Sequence, residues 1–174
     1  MGPEEELSRA IAQGNAPQFE LVRCVVQHRF GKTGRFVLVS LSVIVDGKRR
    51  TLTKKKEMGT KTGDEKSNGR LGSVDLLEQT IRELACRCWP GISECIAATN
   101  TVGYAVHAVG DESDHDVQVV LHVEKGERAY SFSRTGVDTI EVTAGLLHTI
   151  YHWVVWRWIR REQGLLKVAR RSAP

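Results

Sequence analysis

The chain has 174 residues, 41% of them hydrophobic and 26% charged, with a formal net charge of +4. That balance suits a globular domain with a sizeable core and argues against a disordered polypeptide. No apolar run reaches the roughly 18 residues that a membrane-spanning helix needs. Residues 1–6 are acidic, unlike the basic-then-apolar order of a secretory leader. Cys24, Cys86, Cys88 and Cys95 form no C-x-x-C pair, which points to reduced thiols in a cytoplasmic protein rather than a zinc knuckle or redox motif.

In chain order, residues 4–13 suit a short helix that Gly14-Asn15-Ala16-Pro17 breaks, so residues 1–18 are expected to be an N-terminal extension. A strand is expected over 19–30 and a turn over 31–34. The β-branched run 36–45 follows, closed by Asp46-Gly47, the best hairpin signal in the chain. Residues 49–53 begin the returning strand. Residues 54–70 are almost entirely charged, Gly, Ser, Thr or Asn and are expected to be a mobile loop. Residues 73–88 have Val74, Leu77, Ile81 and Leu84 spaced for one buried helical face, ended by Trp89-Pro90-Gly91.

The second half repeats this order. Strands are expected over 102–109, 117–123 and 127–134, with turns at 111–116 and Lys125-Gly126, and a helix over 139–161. That helix carries Trp153, Trp156 and Trp158, more ring area than one core-facing stripe hides. Some of the ring area of these three is therefore expected to meet a partner subunit or domain. Residues 162–174 form a basic tail.

The chain contains a degenerate copy of itself. Val74-Asp75-Leu76-Leu77-Glu78-Gln79-Thr80 returns as Val137-Asp138-Thr139-Ile140-Glu141-Val142-Thr143, each behind a glycine, Gly72 or Gly136. Upstream, residues 37–52 around Asp46-Gly47 resemble 117–132 around Lys125-Gly126. One supersecondary design used twice predicts an α+β fold of two pseudo-symmetric βββα units, about 19–92 and 100–161. Each unit would have an antiparallel sheet covered by a helix, and the site would lie at the seam.

Few residues are arranged for chemistry. His148 and His152 stand one helical turn apart, but the intervening residue after His148 is Thr149 rather than the glutamate of a zinc-protease helix. No Gly-x-Ser-x-Gly elbow, phosphate loop or dinucleotide fingerprint is present. We expect no catalytic residues, no metal and no cofactor. What remains is the pair of glycine-led helix starts, Gly72-Ser73-Val74-Asp75 and Gly136-Val137-Asp138-Thr139. Free N–H groups there make an anion site, or are simply capped by Ser73 or Asp138. Lys54-Lys55-Lys56 and the basic tail leave nucleic-acid binding as a weaker alternative, because the aromatic-basic interleaving of single-strand readers is missing.

Tyr104-Ala105-Val106-His107-Ala108-Val109, then Ser113-Asp114, a Val-rich strand and Arg134-Thr135-Gly136-Val137-Asp138-Thr139, resembles the C-terminal regulatory domain of the 2-isopropylmalate synthase and citramalate synthase family. Gly72-Ser73-Val74-Asp75 resembles that domain's Gly-Pro-Val-Asp helix start. The resemblance spans about 19–158 and implies two βββα units, a homodimer, and leucine or isoleucine as feedback effector. Tyr104, Gly72–Asp75 and Gly136–Thr139 would form the effector site. The catalytic barrel is missing, which implies a regulatory module without catalysis, free-standing or excised, beside a separate synthase subunit. Arg70 and Ser73 replace a glycine and a proline of the family's loop, and Gly103 stands where an aspartate usually precedes the tyrosine. The alternative within this frame is a degenerate docking or dimerisation scaffold that binds no ligand.

Overall fold

The computed structural model describes residues 2–32, 34–58, 72–110 and 116–171, with the side chains of all but Met58 and residues 165–171. The elements are α1 (Pro3–Ala12), β1 (Glu20–Gly31), β2 (Gly34–Val45), β3 (Lys48–Met58), α2 (Gly72–Cys88), α3 (Ser93–Ala97), β4 (Thr99–Val109), β5 (Asp116–Lys125), β6 (Arg128–Gly136) and α4 (Thr139–Arg171). They form two antiparallel sheets, β1-β2-β3 and β4-β5-β6, each followed by a long helix. The fold is α+β, two βββα units. Helix α2 lies on the first sheet, α4 on the second, and the two helices pack on each other.

Alternation sets the register. Val39, Leu41 and Val43 of β2 are fully buried, and so are Val119, Leu121 and Val123 of β5. Strand side chains alternate faces, so each trio marks one inward face. The duplication extends to a feature with no sequence signature. The β1–β2 ladder shifts between Leu21 and Arg23, and the β4–β5 ladder shifts between Thr101 and Gly103. The bulges leave Val22 and Val102 exposed at matching places.

The turns match one residue differently from their glycines. Val45 pairs with Lys48 and Lys125 with Arg128, so Asp46 corresponds to Gly126 and Gly47 to Glu127. Asp46 and Gly47 both have positive φ, 49° and 72°, as a type I′ turn needs, whereas in the second turn Gly126 alone does, at 63°, as in type II′. Both types suit the right-handed twist of a hairpin. Aligning the glycines instead would turn every side chain of the second hairpin to the wrong face.

Four expectations are corrected. Residues 54–58 belong to β3 rather than to a loop, pairing with Arg35 through Val39 of β2. The lysines are held by their surroundings: Lys54 Nζ lies 2.7 Å from Glu83 of α2, and Lys55 Nζ sits 4.2 Å from the Phe36 ring centroid. The rest of the expected loop, 59–70, lies outside the described residues. Helix α4 continues past residue 161 to Arg171, so helical backbone replaces most of the expected tail. The two copies of the heptapeptide are not structural equivalents: Val74 is buried inside α2, whereas Val137 precedes α4 and is 74% exposed.

The fourth correction concerns the tryptophans and α1. Trp153 is enclosed by this chain, with edge contacts to Tyr130 and Phe132 of β6 and its Nε1 donating to Glu6 of α1 at 3.4 Å. Trp156 is also buried, and Trp158 is half-buried, with its ring close to Gly91. Helix α1 packs on α4 through Leu7 and Ala10. It ends where Gly14, at φ 67°, lets the N–H groups of Gly14 and Asn15 reach back to Ile11 and Ala10. The chain itself thus covers Trp153 and Trp156, two of the three rings expected to meet a partner, and leaves Trp158 half-exposed.

Truncating Trp153 should therefore cost about 3–5 kcal/mol, and Leu7→Ala about 2–5 kcal/mol, while Trp158→Ala costs clearly less. Urea denaturation measures all three; a midpoint unchanged by Leu7→Ala would show that α1 does not dock.

Candidate functional site

The bulge of β1 faces the start of α4 across the seam between the two halves. Between them lies an open groove of about 840 Å³. One wall is Leu21, Val22, Arg23 and Cys24. The other is the end of β6 from Arg134 to Gly136, the linker Val137-Asp138, and α4 as far as His148. Gly136 is required here, since a Cβ would come within 2.7 Å of Val142 Cγ2.

Asp138 caps α4. Its Oδ1 accepts from Glu141 N–H at 2.7 Å, and its carbonyl accepts from Val142 N–H at 2.9 Å. The protein's own carboxylate thus occupies the helix N-terminus expected to hold a ligand carboxylate. The groove's other charged side chains are Arg23, Arg134 and Glu141. Arg134 supplies a cation from an inward-facing strand position, paired with buried Val119. Its guanidinium lies over Gly145, where any Cβ would collide with Nη1. Arg134 also partly offsets the burial that raises the Glu4 carboxyl above its ordinary pKa. Glu141 supplies an exposed carboxylate beside that of Asp138, and Leu21, Ile140, Val142 and Ala144 give apolar surface.

The remaining titratable groups are structural. The Cys24 thiol is pushed up to about 11 by burial and by the charges of Asp138 and Glu141, so it is a poor nucleophile. His148 is lowered to about 4, first by burial. Its neutral ring donates Nε2–H to the Phe19 carbonyl at 2.5 Å, and His152 donates to the Pro17 carbonyl at 2.8 Å. Both Nε2 atoms are therefore committed to the main chain. Phe19 lies between the two imidazoles and Trp89.

Of the residues expected at the site, Gly136, Val137 and Asp138 line the groove. Thr139 opens α4 and its carbonyl accepts from Thr143 Oγ1. Tyr104 lies apart from the groove's lining, with its hydroxyl 3.4 Å from Thr143 Oγ1. Gly72, Ser73, Val74 and Asp75 form the first turn of α2 and also lie outside the groove's lining; Ser73 and Val74 are buried. The structure thus gathers the second copy and leaves out the first and the tyrosine. It adds Arg134, Glu141, Cys24 and the β1 bulge. An arginine at an inward position of an apolar-alternating strand was the one available signal. The other junction, between α2 and α4, is filled by polar side chains: Glu78 Oε1 accepts from Thr101 and from Tyr151, each at 2.7 Å, with Arg82 at 3.6 Å.

No protein-family model matches the chain, and no curated protein matches it. The resemblance described above rests on its own residues.

The histidine pair makes stability depend on pH. His148 titrates near 6.5 when unfolded and at about 4 when folded, so the unfolded chain binds the extra proton between those values. Its contribution is complete above about pH 6.5 and is lost as pH falls toward 4, on the order of 3 kcal/mol. Urea midpoints at pH 7 and pH 4.5 should show this fall, and His148→Gln should make it smaller. An identical fall in the variant would count against the assignment.

Proposed function

We propose that this chain is an amino-acid-sensing regulatory module with no catalysis of its own, of the kind found at the C-terminus of 2-isopropylmalate and citramalate synthases. One observation carries this reading: the seam groove combines a cation, a carboxylate and an apolar wall in a volume typical of small-molecule sites. A zwitterion with an aliphatic tail needs those three elements together. In the proposed pose the effector's carboxylate meets Arg134 and its ammonium meets Glu141. Its branched tail rests on Leu21, Ile140 and Val142. Asp138, engaged as the helix cap, positions Glu141 and leaves the ammonium to it. The module would act in the cytoplasm on a separate synthase subunit, with leucine or isoleucine as effector.

A second reading is a docking or dimerisation scaffold. The exposed valines of β4, Val102, Val106 and Val109, favour it, since they offer apolar surface along an edge strand. If the chain is a homodimer, that edge is a better candidate surface than the tryptophans, of which Trp153 and Trp156 are buried.

Calorimetry against leucine, isoleucine and valine separates the two. Saturable heat is expected for at least one. Arg134→Gln and Glu141→Gln should each weaken it roughly ten- to hundredfold, the worth of one charge-assisted hydrogen bond. If no branched-chain amino acid gives heat or a thermal shift, the sensing reading falls and the scaffold takes its place.

A further inference from the structure

A second cleft, separate from the seam, lies between α1 and the distal part of α4. It has a volume of about 430 Å³ and is lined by residues that include Arg9, Gln13, Trp156, Arg160 and Gln163. Trp156 is 5% exposed, and its Nε1 is the buried side-chain polar atom without a hydrogen-bond partner among the described residues. A buried N–H left unpaired is costly, so one that persists calls for an acceptor.

The arginines around it lack carboxylate partners among the described residues. Arg160 holds its guanidinium 5.1 Å from the Trp156 ring centroid. Neither Arg9 nor Arg160 has a carboxylate at ion-pair distance among the described residues. Glu6, the carboxylate that lines the cleft, is turned to Trp153 Nε1 and to Arg157, 3.5 Å away. The carbonyls ending α1 are taken as well, those of Arg9, Ala10 and Ile11 by the N–H groups of Gln13, Asn15 and Gly14.

We propose that this cleft binds a small oxyanion, a carboxylate or phosphate group, between Arg9 and Arg160 with the indole N–H of Trp156 as a third donor. Charge-assisted bonds to an anion are the strong ones. Arg160, exposed and lying over the indole, is the wall that swings aside to admit the ligand and then closes on it. The bound anion joins α1 to α4. The site is independent of the effector groove.

The test follows the indole N–H resonance of Trp156 in the full chain, assigned by its loss in Trp156→Phe. Inorganic phosphate and succinate are titrated separately, against sodium chloride at matched ionic strength. A saturable shift with a Kd of about 1 mM is expected. Movement with succinate alone assigns a carboxylate ligand, movement with phosphate alone a phosphate, and movement with both a general oxyanion site. Arg9→Gln and Arg160→Gln, both at exposed positions, should each weaken binding roughly tenfold or more. The proposal is overturned if neither anion moves the resonance beyond the chloride control, which leaves the N–H to water. It is overturned equally if both arginine variants bind as the parent chain does.

Discussion

The molecule is organised by a stretch of α4 that has no outward face. Residues 150–156 of α4 are all buried, from Ile150 to Trp156. An amphipathic helix hides one stripe, so a continuous buried run must be enclosed on every side. Four separate parts of the chain meet this requirement. The second sheet takes Trp153 through Tyr130 and Phe132, α2 takes Tyr151 through Glu78, α1 lies over Trp156, and the segment before β1 takes the two histidines. The two halves are held as one body because both contribute to enclosing the same helix.

The polar atoms on that helix explain why the enclosure is specific. Tyr151 is fully buried, and burial together with the Glu78 charge raises its pKa, which keeps it a neutral donor to the Glu78 carboxylate. His148 and His152 point their donors at carbonyls of the connection between α1 and β1, where no regular structure supplies partners. A buried carbonyl without a donor is costly, so these bonds fix the path of that connection as much as they fix the helix.

Much of the fold was legible because it is local. Alternating Val39, Leu41 and Val43, and again Val119, Leu121 and Val123, mark the sheet faces. Asp46-Gly47 marks its turn, and the duplicated order gives the βββα architecture. The errors share one cause, which is tertiary context. Lysines 54–56 look like part of a loop in one dimension, but β2 is long enough to pair with them and Glu83 is in reach of Lys54. The excess of tryptophan on α4 needs cover. Which surface covers it depended on α1, far away in sequence. The site was legible by halves for the same reason. Gly136, Val137 and Asp138 stand out in the sequence, whereas the facing wall, Leu21 to Cys24, comes from the other unit and exists as a wall because of a bulge that no residue announces.

The bonds between the start of the chain and α4 also bear on how the protein is made. Glu6 reaches Trp153, Pro17 reaches His152 and Phe19 reaches His148, across separations of 147, 135 and 129 residues. A ribosome delivers Glu6, Pro17 and Phe19 well before α4, while the two hairpins need only their neighbours to form. Until α4 emerges, Leu7, Ala10 and Phe19 have no α4 to bury against, and closing loops of that span is among the slowest contributions to folding. Birth order and structural order thus run opposite ways: α1 is made before the hairpins yet is seated after them, when α4 arrives to complete the core.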